Sequence, residues 1–389
     1  MSAATPQPGH PLDELIAFRR DLHRRPETGF DVAVTAAVVA DRLRAAGWEV
    51  TTEVGGGGVV ATLRRGSARR SIGLRAELDA LPITERTGLA HRSERDGAFH
   101  GCGHDGHMAM LLGAAEALAA MPDLDGTVHL LFQPDEENGR GAQAMIDDRL
   151  FERFPMDAVF GLHNLPGLPV GHLATRPGTF TAFEETFVVE VRGSGGHASA
   201  PERTVDPLVV GAELVLALQS IVSRSLPPGD HGVVSVTEFI TDGARNIIPS
   251  NVTIRGDVRG YDDAVSDIIR THMHRLSTGI AAAHGATATL DYVREFASVV
   301  NTAAEVDEAA RAAAAVEGMD VAAVADRVGF SEDFAQYLHH RPGCLVLLGN
   351  GTDGAHGRSL HHPLYDFNDA SLRHGIDFWC RLVRGRLAR

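Results

Sequence analysis

Apolar positions along the first 180 residues alternate between two rhythms. Residues 12–25 carry Leu15, Phe18 and Leu22 at helical spacing, with Asp13 or His10-Pro11 as the start and Pro26 as the stop. Residues 32–46 repeat the helical rhythm and halt at Gly47. Residues 48–53 and 59–64 read as strands on either side of Gly55-Gly56-Gly57-Gly58, a tight connection. Next come an expected strand at 71–78, an apolar helix at 108–121, a strand at 127–132 and a helix at 141–150. A short strand at 157–162 is expected to end at His163. This alternation is that of an α/β domain. Acidic residues and histidines recur at its strand ends, where open α/β sheets bind ligands.

The character changes near Thr181. Residues 185–192 predict a strand, 193–197 a turn, and 207–226 one long helix. Strands at 233–240, 251–260 and 287–293 follow, with a helix at 263–284 before the last. The order β-α-β-β-α-β is a split βαβ, α+β pattern. After Val300 the chain returns to a helix at 303–316, a strand at 345–349 and a helix at 371–383. The expected organisation is a first domain in two parts, 1–180 and 296–389, interrupted by an inserted domain at 181–295.

Composition narrows the chemistry. A net charge of -15 argues against nucleic acid, which needs a basic face. No lysine occurs in the 389 residues, so a Schiff-base lysine and the lysine of a phosphate-binding loop are both excluded. The chain has no unbroken apolar run of about 18 residues and no signal-peptide pattern, so no membrane association is expected. Three scattered cysteines make no disulfide framework, and a cytoplasmic location is expected.

Residues 100–107 read His-Gly-Cys-Gly-His-Asp-Gly-His. Thiolate and imidazole together suit zinc-like divalent ions. The stretch precedes a helix, whose N-terminal N–H groups favour a thiolate at Cys102. Glu136-Glu137 follows a strand, an arrangement in which one carboxylate binds metal and its neighbour serves as general base. His163 and His361 are further donors. This set is more than one tetrahedral ion needs, and points to two ions about 3.5–4 Å apart sharing a bridging group.

The ordered motifs resemble the dinuclear metallo-amidohydrolases. They are Glu77-Leu78-Asp79-Ala80-Leu81-Pro82, residues 100–107, Gln133-Pro134-Asp135-Glu136-Glu137, His163-Asn164, Gly195-Gly196-His197-Ala198, Asn246-Ile247-Ile248-Pro249, Ser331-Glu332-Asp333-Phe334 and residues 360–369. That family includes N-acyl-amino-acid amidohydrolases, hippurate hydrolases and indoleacetyl-amino-acid hydrolases, relatives of aminoacylase and carboxypeptidase G. The resemblance implies a mixed-sheet α/β/α metallopeptidase-like catalytic domain. Its inserted ferredoxin-like domain would act as lid and as dimerisation surface, giving a homodimer or higher homo-oligomer.

The resemblance also implies roles. Cys102 would bridge two divalent ions (Zn, Mn, Co or Ni), with His104, Glu137, His163 and His361 as the other ligands. Glu136 would be the general base and Asp79 an acid orienting a ligand or the base. His197, Asn246 and, more weakly, Arg259 would bind substrate. The implied reaction is hydrolysis of an N-acyl or N-aroyl amino acid, hippurate-like, by a metal-activated water. The alternatives are a dipeptidase, a deacetylase of another acylated amine, or a silent metal-binding relative.

Three departures from the family pattern stand out. Glu77 replaces an Asp and lengthens a strand-end contact. Asp135 replaces an Ala, putting a charge beside Glu136 that would raise its pKa or disfavour acidic substrates. Ser194 replaces a Lys. His107 reads as a packing or capping residue. His91, His231, His284 and His356 are expected in polar loops without partners, and Cys344 and Cys380 in the core. Ser331-Glu332-Asp333-Phe334 reads equally as pocket wall or helix cap.

Overall fold

The computed structural model describes residues 12–388, so His10 and Pro11 lie outside the described residues. Contacts divide the chain into two compact units. The first is Met1–Gly178, Val300–Asp326 and Asp333–Arg389; the second is Thr179–Val299 with Arg327–Glu332. This differs from the expected boundaries at 179–180, 296–299 and 327–332, all of which fall with the inserted unit. Backbone bonds explain the last, since Val328 and Phe330 pair with Phe180 and Ala182.

In chain order the first unit opens with helices α1 (Leu12–Arg24) and α2 (Ala33–Ala45). Strands β1 (Glu49–Val54), β2 (Gly58–Arg65) and β3 (Ser71–Glu77) follow, then α3 (His104–Ala119), β4 (Gly126–Gln133), α4 (Gly141–Asp147) and α5 (Leu150–Arg153). Next come β5 (Val159–Pro166), β6 (His172–Ala174) and β7 (Gly178–Thr179). The second unit holds β8 (Phe183–Arg192), β9 (Gly196–His197), α6 (Pro207–Arg224), β10 (Gly232–Thr241), β11 (Ile247–Ile248), β12 (Asn251–Gly260), α7 (Asp263–Ala283) and β13 (Thr287–Phe296). The chain then adds β14 (Val300–Asn301), α8 (Ala303–Ala314), β15 (Asp320–Ala322), α9 (Ala335–Leu338), β16 (Gly343–Gly351) and α10 (Ser371–Leu387).

The first unit is built on an eight-stranded mixed sheet ordered β1-β2-β4-β3-β5-β16-β6-β15. Its centre, β4-β3-β5-β16, is parallel. β3 is buried along its whole length, as a strand covered on both faces must be. Ile72, Leu74 and Ala76 join the main core with Leu111, Leu112, Phe378 and Trp379 of α3 and α10. On the alternate positions Arg75 reaches Asp333, which precedes α9. The result is a sheet with helices on either side. His163 does not end its strand: β5 continues to Pro166, pairing with β16 as far as Gly351.

The inner row of α1 is Leu15, Arg19, Leu22 and His23, all buried. Phe18, read from sequence as part of that row, is only half-buried. Arg19 donates to Asp105 at 2.8 Å and to Asp369 at 2.6 Å. His23 Nδ1 lies 2.9 Å from the same Asp105 oxygen, and its Nε2 lies 3.4 Å from Glu85. His91 packs against the Arg19 guanidinium at 3.2 Å, a buried position and not the partnerless loop expected. Burial opposes charge on His23, but Asp105 and Glu85 outweigh it and raise its pKa to about 9. Burial likewise pushes the neighbouring His91 and His100 down to about 4, so the cluster holds one imidazolium among neutral rings.

In the second unit the four-stranded sheet runs β10-β12-β8-β13, antiparallel throughout. α6 and α7 cover one face, where Phe187, Val189, Val252 and Ile254 meet Val210, Leu214, Leu218 and Ile269. Asp206 and Asp262 cap the two helices through Leu208 N and Ala264 N. Among the described helices α6 alone is long and apolar enough to cross a membrane; its inner row is packed on this sheet.

The His23 linkage gives a pH dependence. Its folded pKa of about 9 lies above the unfolded value near 6.5, so the stabilisation is complete below about pH 6.5 and lost as pH rises through 9. Up to about 3 kcal/mol is at stake. Denaturant unfolding of the metal-stripped chain is expected to weaken over that window, and His23→Asn to flatten the profile. An unchanged slope in the variant would contradict the assignment.

Candidate metal centre

Three neighbouring parallel strands, β4, β3 and β5, open their C-terminal ends at one edge of the large sheet. Asp79 follows β3, Glu136 and Glu137 follow β4, and His163 comes from within β5. Cys102 and His104 stand at the N-terminus of α3, and His361 sits in the loop between β16 and α10. Backbone N–H of His361 donates to Gly101 O at 2.9 Å, bringing the two loops together.

The donor atoms converge. Cys102 Sγ lies 3.3 Å from His163 Nε2. His104 Nε2 lies 3.8 Å from Glu136 and 3.9 Å from Glu137, and His361 Nε2 is 3.4 Å from Glu137. Within 4.8 Å of one another stand the triads Cys102, His104, His163 and Cys102, Glu137, His361, and the set His104, Glu136, Glu137. Cys102 is common to the first two triads. A tetrahedral ion with bonds of about 2.0–2.3 Å spaces its donors by roughly 3.3–3.8 Å, and these edges match.

The histidines are set for metal. His104 Nδ1 lies 2.8 Å from Asp79 O, and His163 Nδ1 the same distance from Asn164 O. A carbonyl only accepts, so each Nδ1 carries the proton and each Nε2 presents its lone pair. His104 Nε2 is buried with no hydrogen-bond partner. Such an orphaned acceptor beside a thiol and two carboxylates is what a cation would satisfy. Glu77, His104 and His107 also come close, but His107 Nδ1 is hydrogen-bonded to Glu77 at 2.7 Å, too near for an ion between them.

Electrostatics correct one expectation. Burial first, then Glu137, Glu136 and Glu77, push the Cys102 thiol well above its ordinary pKa, so the helix N-terminus by itself does not make a thiolate. Burial also pushes Asp79 up to about 8, against N–H donation from Glu137 and Glu136. A bound cation reverses both tendencies. Asp79 touches the site twice: its carbonyl fixes His104, and its carboxyl accepts from Glu137 N at 3.2 Å.

The departures from pattern are now placed. Glu77 is buried between Arg75 and His107, and His107 in turn meets Asn164 at 2.8 Å. Asn164 donates to Tyr365 Oη at 2.6 Å. Gly103, at φ 93, faces this pair: a Cβ there would collide with Asn164 and Tyr365. Asp135 does not stand beside Glu136 as an uncompensated charge. It accepts from Arg140 at 2.8 Å and from Asn138, while its backbone, at φ 49, bonds Gly29 and Gly141. Asp333 accepts from Gln133 and from Ala142 N at 2.8 and 2.9 Å, tying the two ends of the Glu136-Glu137 loop. That carboxylate caps α4 and not α9.

Of the residues expected to bind substrate, His197 is exposed on β9 and pairs with Ile247, and Ala198 N donates to Asn246 O. The two are therefore neighbours within the second unit. Arg259 is otherwise engaged: Asp257, Glu184 and Ser331 take its Nε and both terminal nitrogens. Its guanidinium is thus paired with carboxylates of its own unit.

Loop 134–141 yields a stability test. Asp135→Ala removes buried charge-assisted bonds and places alanine in a left-handed conformation, a loss of about 2–3 kcal/mol. Asp135→Asn keeps an acceptor and tolerates that backbone, and is expected to lose about 1 kcal/mol. Equal losses in urea unfolding, or none for alanine, would contradict the assignment.

Comparison with known proteins agrees with this geometry. Residues 73–385 match peptidase family M20/M25/M40. The chain is 37% identical over 371 residues to a hippurate hydrolase of Campylobacter jejuni, covering 95% of this chain and 96% of that one. It is 34% identical over 372 residues to an N-acetylcysteine deacetylase of Bacillus subtilis, at 95% and 96% coverage. Among solved structures it superposes on the Bacillus subtilis YXEP protein, a dinuclear metal binding peptidase from the M20 family, with TM-score 0.83, 30% identity and coverage of 96% and 97%. The chain thus belongs to peptidase family M20/M25/M40 and is a metal-dependent hydrolase of amide bonds.

Proposed function

We propose that the chain hydrolyses the amide joining an acyl or aroyl group to the amine of an amino acid, with hippurate-like compounds as the substrate class. The observation that carries this reading is the pair of donor triads sharing Cys102, with Glu136 at their edge. The names of the hippurate-hydrolysing and N-acetylcysteine-deacetylating relatives support the substrate class.

In this proposal Cys102, His104, Glu137, His163 and His361 hold two divalent ions, of Zn, Mn, Co or Ni. When bound, such ions supply Lewis acidity, lowering the pKa of water towards about 7 and polarising the amide carbonyl. Glu136 takes the proton from the attacking water and returns it to the leaving amine. Asp79 keeps Glu137 and His104 in register through the bonds already described. His197 and Asn246, neighbours within the second unit, are the groups proposed to bind substrate. Arg259, held by Asp257 and Glu184, is the weaker candidate for carboxylate binding.

A panel of hippurate, N-acetyl amino acids and dipeptides, assayed with Mn²⁺, Co²⁺ or Zn²⁺, tests the reading. Turnover of the N-acyl compounds is expected; cleavage of dipeptides alone, or of nothing, would overturn it. Glu136→Gln is expected to retain metal by elemental analysis and lose about 10²–10⁴-fold in rate. Cys102→Ser is expected to come out of dialysis with less metal than the wild type.

A further inference from the structure

We propose that Arg19 and His23 are positioning residues for the metal loop: acting through Asp105, they fix where Cys102 and His104 present their donor atoms. The inference rests on the dinuclear reading. Residues 101–106 read Gly-Cys-Gly-His-Asp-Gly, so the backbone around both donors has little stiffness of its own. Side-chain anchors must supply the precision. Asp105 follows His104 directly, and one of its oxygens takes Arg19 at 2.8 Å and His23 at 2.9 Å, all three fully buried.

The two α1 residues lie one helical turn apart and therefore share a face. Their remaining contacts reach the other segments that flank the donors. His23 meets Glu85 and Arg19 meets His91, both in the irregular stretch that leads into Cys102. Arg19 also holds Asp369 at 2.6 Å, in the segment that follows His361. One rigid helix thus holds the first turn of α3 and two irregular segments, the one that leads into Cys102 and the one that follows His361. Gly106 completes the arrangement, because a Cβ there would collide with the Phe367 ring.

The test is the dissociation constant for Mn²⁺, measured by competition with a chromophoric chelator. Asp105→Asn keeps the shape and leaves Arg19 paired with Asp369. It is expected to weaken Mn²⁺ binding about 10–100-fold, the usual effect of losing a group that orients a ligand, with the far-UV spectrum retained. Trp48→Phe is the control: it removes the 3.1 Å bond from Trp48 Nε1 to Ala115 O at the far end of α3. That variant is expected to melt earlier and bind Mn²⁺ as the wild type does. Unchanged affinity in Asp105→Asn, or equal weakening in Trp48→Phe, overturns the inference. If Asp105→Asn does not fold, Asp369→Asn decides: a several-fold weakening supports the role and none overturns it. A wild-type chain that binds no Mn²⁺ brings down the dinuclear reading itself, and this inference with it.

Discussion

One constraint governs the centre of this molecule: a buried thiol lies among carboxylates and imidazoles that have been taken out of water. Burial and the charges of Glu137, Glu136 and Glu77 all oppose a thiolate at Cys102. Leaving such groups desolvated and uncompensated costs several kcal/mol each. A bound cation offsets these penalties, because it attracts each of the charges. His104, with Nδ1 bound to a carbonyl and Nε2 orphaned, is already in the tautomer that a cation requires. The same charges that penalise the metal-free chain therefore favour the loaded one.

That arrangement demands precision from backbone that is intrinsically loose. The sheet provides a rigid edge by bringing β4, β3 and β5 to a common end. The glycine-rich loop then hangs from side chains: Asp105 on the α1 pair, and His107 on Glu77 and Asn164. The opposite loop, bearing Glu136 and Glu137, is held by Asp333 at its ends and by Asp135 within. Asp105, His107, Asp135 and Asp333 are each tied into hydrogen-bonded networks, and rigidity of position is what such networks provide. His361 takes a left-handed backbone at φ 64, a strained conformation for a non-glycine residue, and a bond to Gly101 helps to hold it.

Much of this was legible in the sequence, for physical reasons. Continuous apolar runs located the parallel strands, which are buried on both faces, and alternation located the split βαβ unit, whose strands bury one face. The dense donors at 100–107 and the paired acids at 136–137 pointed to the sheet edge where the donor atoms converge. Less was legible wherever a charge is satisfied by a distant partner. Arg19 and His23 occupy the buried stripe with Leu15 and Leu22, at spacings of 4, 7 and 8 from Leu15. That placement of charge on an apolar face was the available signal. Asp135 looked like an added charge because its counter-ion, Arg140, is revealed only by the turn between them. The partners of Arg259, Glu184 and Ser331, are likewise far away in sequence. Segment 327–332 pairs with Phe180 and Ala182 across some 150 positions, which no local pattern announces.

The central claim is that Cys102 sulfur serves two ions at once. X-ray absorption on the Mn²⁺- or Zn²⁺-loaded chain, with elemental analysis, addresses it directly. The expected result is two ions per chain, a metal–metal distance of about 3.5–4 Å and, for zinc, a sulfur shell near 2.3 Å that Cys102→Ser abolishes. One ion per chain, or a metal environment without sulfur, would contradict it.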